Sequence, residues 1–392
     1  MELNRRVSLA GMLALAASPA LAAPKAAKPA ARPSPWADVE TKAQAMIAGK
    51  MTPGLQVCVR KKGKVVFSKG FGSANLETAT PMSPASVVRI GSITKQFTAS
   101  AILLLAQEGK LSLDDSLGVY LPDFPNASKL RLRRMLSHTS GLGNYTQVNP
   151  LQFLQMTRTD KSASELVKAM AEASPTLAYE PGTDWRYSNT AFVLLGAVIE
   201  AVTRQNYAAF FQERLFAPSG LTHTAVDDAA RVVPNRASGY SSAPRAASGF
   251  DNASFIGMSW PGAAGNLRST CEDLCAWHGA LLGGKVLSAD SLKAMLTPVT
   301  LNNGQLPMAG PPGKQQPVHY GFGIGVDPRD GKPSVSHNGG IQGFVSHLET
   351  LIDEQITIAW VMNTDGGPFA PKALATAPGE LETAIRSAAH AL

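Results

Sequence analysis

The chain has 392 residues, 44% of them hydrophobic and 17% charged, a balance that excludes a disordered polymer and allows a large buried core. Its formal charge of +7 is uneven: Arg5, Arg6, Lys25, Lys28 and Arg32 against Glu2 put +4 into residues 1–35 and leave +3 for the rest. No basic cluster stands out in that remainder, so nucleic-acid binding is not expected.

Residues 1–22 read as an export signal. Arg5-Arg6 form its charged region, residues 9–17 an apolar run too short to span a bilayer, and Ala20-Leu21-Ala22 a small-x-small cleavage site. Asn4-Arg5-Arg6-Val7-Ser8-Leu9 also resembles a twin-arginine signal, which leaves both that route and the general secretory route open. The mature chain would start with an Ala/Pro/Lys-rich tether over residues 23–35, carry no transmembrane anchor, and reside in the periplasm or outside the cell. Three cysteines in that oxidising setting, Cys58, Cys271 and Cys275, are expected as buried small hydrophobes with no essential disulfide.

The folded part is expected over residues 36–392. Residues 36–47 carry an amphipathic helical pattern. Residues 55–60 and 64–70 read as strands joined through Lys61-Lys62-Gly63, a hairpin signal. The β-branched run Val87, Val88, Ile90 then meets Gly91-Ser92, and a helical pattern runs on to a stop at Gly109. Residues 111–315 are mainly helices and loops, with helical patterns at 130–136, 163–173, 190–202, 207–215 and 270–282. Residues 226–265, rich in Ala, Ser, Gly and Pro, look irregular, and the pairs Asp114-Asp115 and Asp227-Asp228 read as caps or solvated turns. Strand patterns return at 320–326, 333–337, 344–352 and 356–362, followed by a helix over 378–389. Strands at both ends with helices between them predict an α/β (α+β) fold: an antiparallel sheet built from residues 36–110 and 316–392, beside a helical part over 111–315.

Three stretches carry chemistry. Ser92 and Lys95, three apart at a helix start, lie on one helical face, where a lysine of lowered pKa can take the serine proton and backbone N–H groups can meet developing negative charge. Alone, the pair also fits a serine N-cap followed by a solvated lysine. Tyr187-Ser188-Asn189 precedes a helix; the phenol can relay a proton and the amide can hold a carbonyl or a lysine, although Asn189 is equally a good N-cap. Ser336-His337-Asn338-Gly339-Gly340 sits between strand patterns, where Asn-Gly is also a strong turn signal.

In that order the three motifs resemble the signature set of the serine β-lactamase and penicillin-binding protein superfamily, Ser-x-x-Lys, Tyr-x-Asn and Lys/His-x-Gly. The nearest likeness is to its class C β-lactamase-like branch, with D-alanyl-D-alanine carboxypeptidases, D-aminopeptidases and esterases. Met135-Leu136-Ser137-His138-Thr139-Ser140-Gly141-Leu142, Tyr179-Glu180-Pro181-Gly182, Ala264-Gly265 and Tyr320-Gly321-Phe322-Gly323 fit the same branch. The resemblance implies a β-lactamase/transpeptidase-like fold with Ser92 as nucleophile, Lys95 as its base or one of a base pair, and Tyr187 as proton shuttle. It implies Asn189, His337, Asn338 and Gly339 around the substrate, and the N–H groups of Ser92 and Gly340 as an oxyanion hole. The implied substrate is a small ester or amide, first of all a D-amino-acid peptide.

Class C β-lactamases carry lysine where this chain has His337 and usually threonine at Asn338, which weighs against efficient β-lactam hydrolysis without removing that alternative. A catalytically idle binding or scaffold protein is the competitor from another class, disfavoured by the intact Ser92, Lys95, Tyr187 and Asn189. With no His-Glu-x-x-His, paired Cys-x-x-Cys or Gly-x-Ser-x-Gly, no metal, no cofactor and no α/β-hydrolase site are expected. His138 reads as a structural hydrogen-bonding residue.

Overall fold

Strands from both ends of the chain meet in one sheet. The computed structural model describes residues 34–173, 176–329 and 331–392, and Pro35–Leu392 pack as one compact unit; the expected export signal lies outside the described residues. Helix α1 (Ala37–Ala48) leads into strands β1 (Gly54–Lys61) and β2 (Lys64–Asn75), and the short β3 (Thr80–Pro81) lies beside β2. Lys62 and Gly63, at φ of 49° and 77°, make the two-residue turn whose twist suits a hairpin. Helices α2 (Thr94–Gln107), α3 (Asn189–Thr203) and α4 (Cys271–Leu282) follow, then β4 (Ser334–Ile341), β5 (Phe344–Leu351), β6 (Ile356–Met362) and α5 (Ala377–His390). The sheet order is β4-β5-β6-β1-β2-β3, every pair antiparallel, with Cys58 of β1 opposite Ala359 of β6.

The two-residue strand period sorts the core into two layers. Val57, Val59, Ile356, Ile358 and Trp360 pack with Val39 and Met46 of α1 and Leu381 and Ile385 of α5. Cys58, Leu348, Ala359 and Val361 belong to the opposite core, with Phe97 and Ile102 of α2 and Cys275 and Trp277 of α4. All three cysteines are buried and free. Residues 94–105 of α2 are buried without exception, so this helix has no solvent face and its polar side chains need protein partners. Thr98 Oγ1 finds the Ala263 carbonyl at 2.6 Å, for example.

Several local expectations are corrected. Residues 320–326 make only isolated bridges, because Gly321 and Gly323 press their backbone against Met295 and Lys95; a Cβ would stand 2.0 Å and 2.6 Å from those carbonyl oxygens. The Asn338-Gly339 pair does not turn: β4 runs on to Ile341 and the chain reverses at Gln342-Gly343, where Gly343 has φ 81°. Only Val88–Arg89 of the run before Ser92 pairs as strand, with Ser269 and Arg268. Asp227 is no solvated turn residue either. It is buried, with Arg89, Arg236 and Arg268 at 2.9, 2.9 and 3.5 Å. No local pattern announces such a cluster, since its members come from three separated segments.

Candidate active site

A 3-10 turn, Gly91–Ile93, delivers Ser92 to the start of α2 and sets Lys95 one turn further on the same side. Thr94 fixes the turn: its hydroxyl donates to the Gly91 carbonyl at 2.7 Å and accepts from Leu267 N at 3.2 Å.

Lys95 is fully buried, and its Nζ lies 3.1 Å from Ser92 Oγ, 2.7 Å from Asn189 Oδ1 and 2.8 Å from the Ala264 carbonyl oxygen. Burial drives its pKa well below the usual lysine value. Asn189 Oδ1 and the Ala264 carbonyl are acceptors only, so together they take the two N–H bonds of a neutral amine. In that neutral form the third direction, towards Ser92 Oγ at 3.1 Å, is where the lone pair would lie. The rings of Tyr187 and Phe192, centred 4.7 and 5.5 Å from Nζ, complete its surroundings.

The Tyr187 hydroxyl interacts with Ser92, and burial raises its pKa above the tyrosine range, which favours a neutral phenol able to donate. Asn189 opens α3 but does not cap it. Ser188 is the cap, accepting from Ala191 N at 3.2 Å and donating to the Gly143 carbonyl at 2.8 Å. That frees the Asn189 amide for Lys95. Asn144 clasps the same corner, with Nδ2 donating to the Tyr187 carbonyl at 3.2 Å and Oδ1 accepting from Asn189 N at 3.3 Å. His138, at φ 61°, supports it from behind: Nδ1 accepts from Ser188 N at 3.2 Å and the ring packs 4.3 Å from that of Tyr187.

The third wall is β4, the sheet edge. Ser336 N and O bond Gly325 on its open side. Main-chain groups alternate along a strand, so Asn338 and Gly340 present theirs to that same edge. The fit is close. A Cβ on Gly91 would stand 2.8 Å from Gly340 N, and one on Gly339 would stand 2.1 Å from the Ile90 oxygen. Glycine at 91 and 339 therefore brings Gly340 N–H beside the Ser92 turn. Ser92, Gly340, Asn189, Tyr145 and Ile256 line a recess of about 90 Å³; a cavity of about 300 Å³ shares Gln342 with it, and another of about 360 Å³ is lined by other residues that include Tyr207 and Asn266.

Two expected substrate contacts are placed differently. His337 is buried with both ring nitrogens engaged: Nδ1 donates to the Asn338 carbonyl at 2.6 Å and Nε2 accepts from the Tyr320 hydroxyl at 2.9 Å. Burial pushes its pKa down to about 3, so it offers no cation to a substrate carboxylate. The side chain of Asn338 points to the other face of the sheet, where Oδ1 accepts from His347 Nδ1 at 2.6 Å; the odd–even strand period forbids it to share the face of His337 and Gly339. Tyr320, Asn144 and the Ala264 carbonyl are functional neighbours that motif reading did not assign. A backbone acceptor leaves no residue-type signal at all. Among the described residues, no His, Cys, Asp and Glu side chains converge as a metal ion requires, and no helix is long and apolar enough to cross a membrane.

Comparison with known proteins agrees with this geometry. A profile of the Beta-lactamase family matches residues 40–380. Penicillin-binding protein 4* of Bacillus subtilis is 28% identical over 323 residues, 79% of this chain and 68% of that protein. A D-aminopeptidase of Gluconobacter oxydans is 30% identical over 332 residues, 83% of this chain but only 59% of its own length. Among solved structures, D-amino acid amidase from Ochrobactrum anthropi superposes with a TM-score of 0.74 at 25% identity, covering 89% of this chain and 99% of the amidase. A D-stereospecific amidohydrolase from Streptomyces gives 0.68 at 29% identity, covering 84% and 94%.

Proposed function

This chain belongs to the β-lactamase family of serine hydrolases, and from that premise we propose that it hydrolyses small amides and esters of D-amino acids through an acyl-enzyme on Ser92. The observation that carries the reading is the buried Lys95 amine, held by Asn189 and Ala264 with Ser92 Oγ at 3.1 Å and no carboxylate partner among the described residues. In this reading Lys95 takes the hydroxyl proton as Ser92 Oγ bonds to the scissile carbonyl carbon. The N–H groups of Ser92 and Gly340 hold the oxyanion, each such donor being worth roughly 3 kcal/mol of barrier. Tyr187 gives its proton to the leaving nitrogen or oxygen as that bond breaks, and recovers one from the Lys95 ammonium. The neutral amine then activates water against the acyl ester, and Ser92 is released. The raised pKa of Tyr187 and the lowered pKa of Lys95 support this division of labour over the reverse.

The names of the amidase, the amidohydrolase and the aminopeptidase support D-amino-acid substrates, and the leader-like residues 1–22 support an exported enzyme that meets D-amino-acid peptides. The test is turnover of D- and L-alanine p-nitroanilides and p-nitrophenyl esters by wild type and Ser92→Ala. The variant is expected to lose roughly 10⁴–10⁶ in kcat. Retained turnover would overturn the acyl-enzyme, and equal D and L rates would overturn the stereochemical preference.

A further inference from the structure

A cavity of about 300 Å³ next to the Ser92 recess is lined by Arg89, Arg236 and Arg268 against one acid, Asp227. Gln342 lines both spaces. Arg89 precedes Ser92 by three residues, so their Cα atoms are at most roughly 11 Å apart. We propose that this arginine cavity is a substrate subsite for a carboxylate carried apart from the scissile carbonyl, so that the preferred substrates are anionic.

Charge is the first ground. Three guanidinium groups share one buried carboxylate, through Arg89 Nε, Arg236 Nη2 and Arg268 Nη1. Asp228 is paired with Arg231 at 3.4 Å and does not offset the surplus. Glu77, held by Asn252 Nδ2 at 3.0 Å, is not among the lining residues and leaves the balance positive. The second ground is an unmet donor: Arg236 Nε is buried with no hydrogen-bond partner among the described residues, while Nη2 of the same side chain bonds Asp227 and two backbone carbonyls. An oxyanion is the ligand that fits surplus guanidinium donors. The third ground is the neutrality of His337. A chain of this architecture that binds an anionic substrate must draw its cation from elsewhere, and the arginine cavity borders the same recess.

The subsite rests on the Ser92 reading for its role in turnover, yet its binding is measurable without catalysis. Two matched substrate pairs place the carboxylate on either side of the scissile bond: mono-p-nitrophenyl glutarate against p-nitrophenyl valerate, and D-alanyl-D-glutamic acid α-amide against D-alanyl-D-glutamine α-amide. In at least one pair the anionic member is expected to have a tenfold or greater advantage in kcat/KM, expressed in KM. Added salt should erode it, and Arg268→Gln should bring the ratio towards one while Arg268→Lys retains most of it. Independently, calorimetry should show glutarate binding to Ser92→Ala protein, weakened at least tenfold by adding Arg268→Gln. Equal rates within both pairs, a ratio untouched by Arg268→Gln, or no glutarate binding would each overturn the subsite. Glutarate binding through Arg268 in a protein that hydrolyses none of the four substrates would instead keep the subsite and remove the hydrolase reading.

Discussion

Lys95 shows how a side chain's neighbours decide its chemistry. A lysine one turn from a helix start would ordinarily be a solvated cation; here every direction is filled by protein and two acceptors define where its lone pair points. Since its pKa is lowered and the neutral amine is the reactive form in the mechanism proposed above, kcat/KM is expected to rise with pH through that depressed pKa and to reach its plateau below the ordinary lysine range. A pH–rate profile checks this, and a limb still rising at the ordinary lysine pKa would show that Lys95 reacts as a solvated amine. Ser92, Lys95 and Asn189 converge as their motifs suggested, but residue type and spacing alone also fitted helix caps, and it was the resemblance of the three motifs taken together that singled them out with Tyr187. Asn338 was expected beside the substrate because the resemblance implies it, yet the strand period sends its side chain to His347 on the other face, and the docking of β4 on Ile90 and Gly91 explains the glycine beside it. Asp227 was misread because two of its three arginines, Arg89 and Arg268, lie far away in sequence.

At the level of elements, the site is a contact between α2 with its leading turn and the edge strand β4. Gly339 is the tightest point, with the Ile90 oxygen at 2.1 Å and Ser346 Oγ at 2.2 Å from where a Cβ would sit. Gly339→Ala must therefore push β4 away from the turn. About 3 kcal/mol of stability should go with it, together with most of the activity, because Gly340 N–H moves with the strand. Thermal melting and ester turnover measure the two losses together, and wild-type values for both would mean that the strand does not press on Ile90. The regular helices and the strands at 55–60 and 356–362 were legible from periodicity. The stretch at 320–326 was not, because its glycines serve a close approach to Met295 and Lys95 instead of a ladder.

Across the whole molecule, four of the seven histidines, His138, His278, His337 and His347, are buried inside the fold, where burial disfavours their charged form. His278, between Thr350 Oγ1 at 2.8 Å and Gln96 Oε1 at 3.0 Å, and His337 both have pKa values pushed down to about 3 by burial, and His138 and His347 shift the same way. Below pH 6.5 the unfolded chain takes up protons that the folded rings refuse. Stability contributed by these rings is thus complete above pH 6.5 and lost as pH falls towards 3, at roughly 1.4 kcal/mol per pH unit for each fully shifted ring. Lys95, also depressed, acts with the same sign at higher pH. Denaturant melts from pH 7 to pH 4 should show this decline, with a shallower slope in His278→Gln; a stability unchanged down to pH 4 would mean that the rings ionise within the native fold.

The pairing of β1 with β6 also has a consequence for how the enzyme comes into being. Ser92 leaves the ribosome long before Gly340, yet the oxyanion site proposed here needs both, and the sheet cannot close until its last three strands have been made. The nascent chain thus carries the nucleophile proposed at Ser92 without its oxyanion site for most of its synthesis, and the proposed activity has to wait for the C-terminal strands.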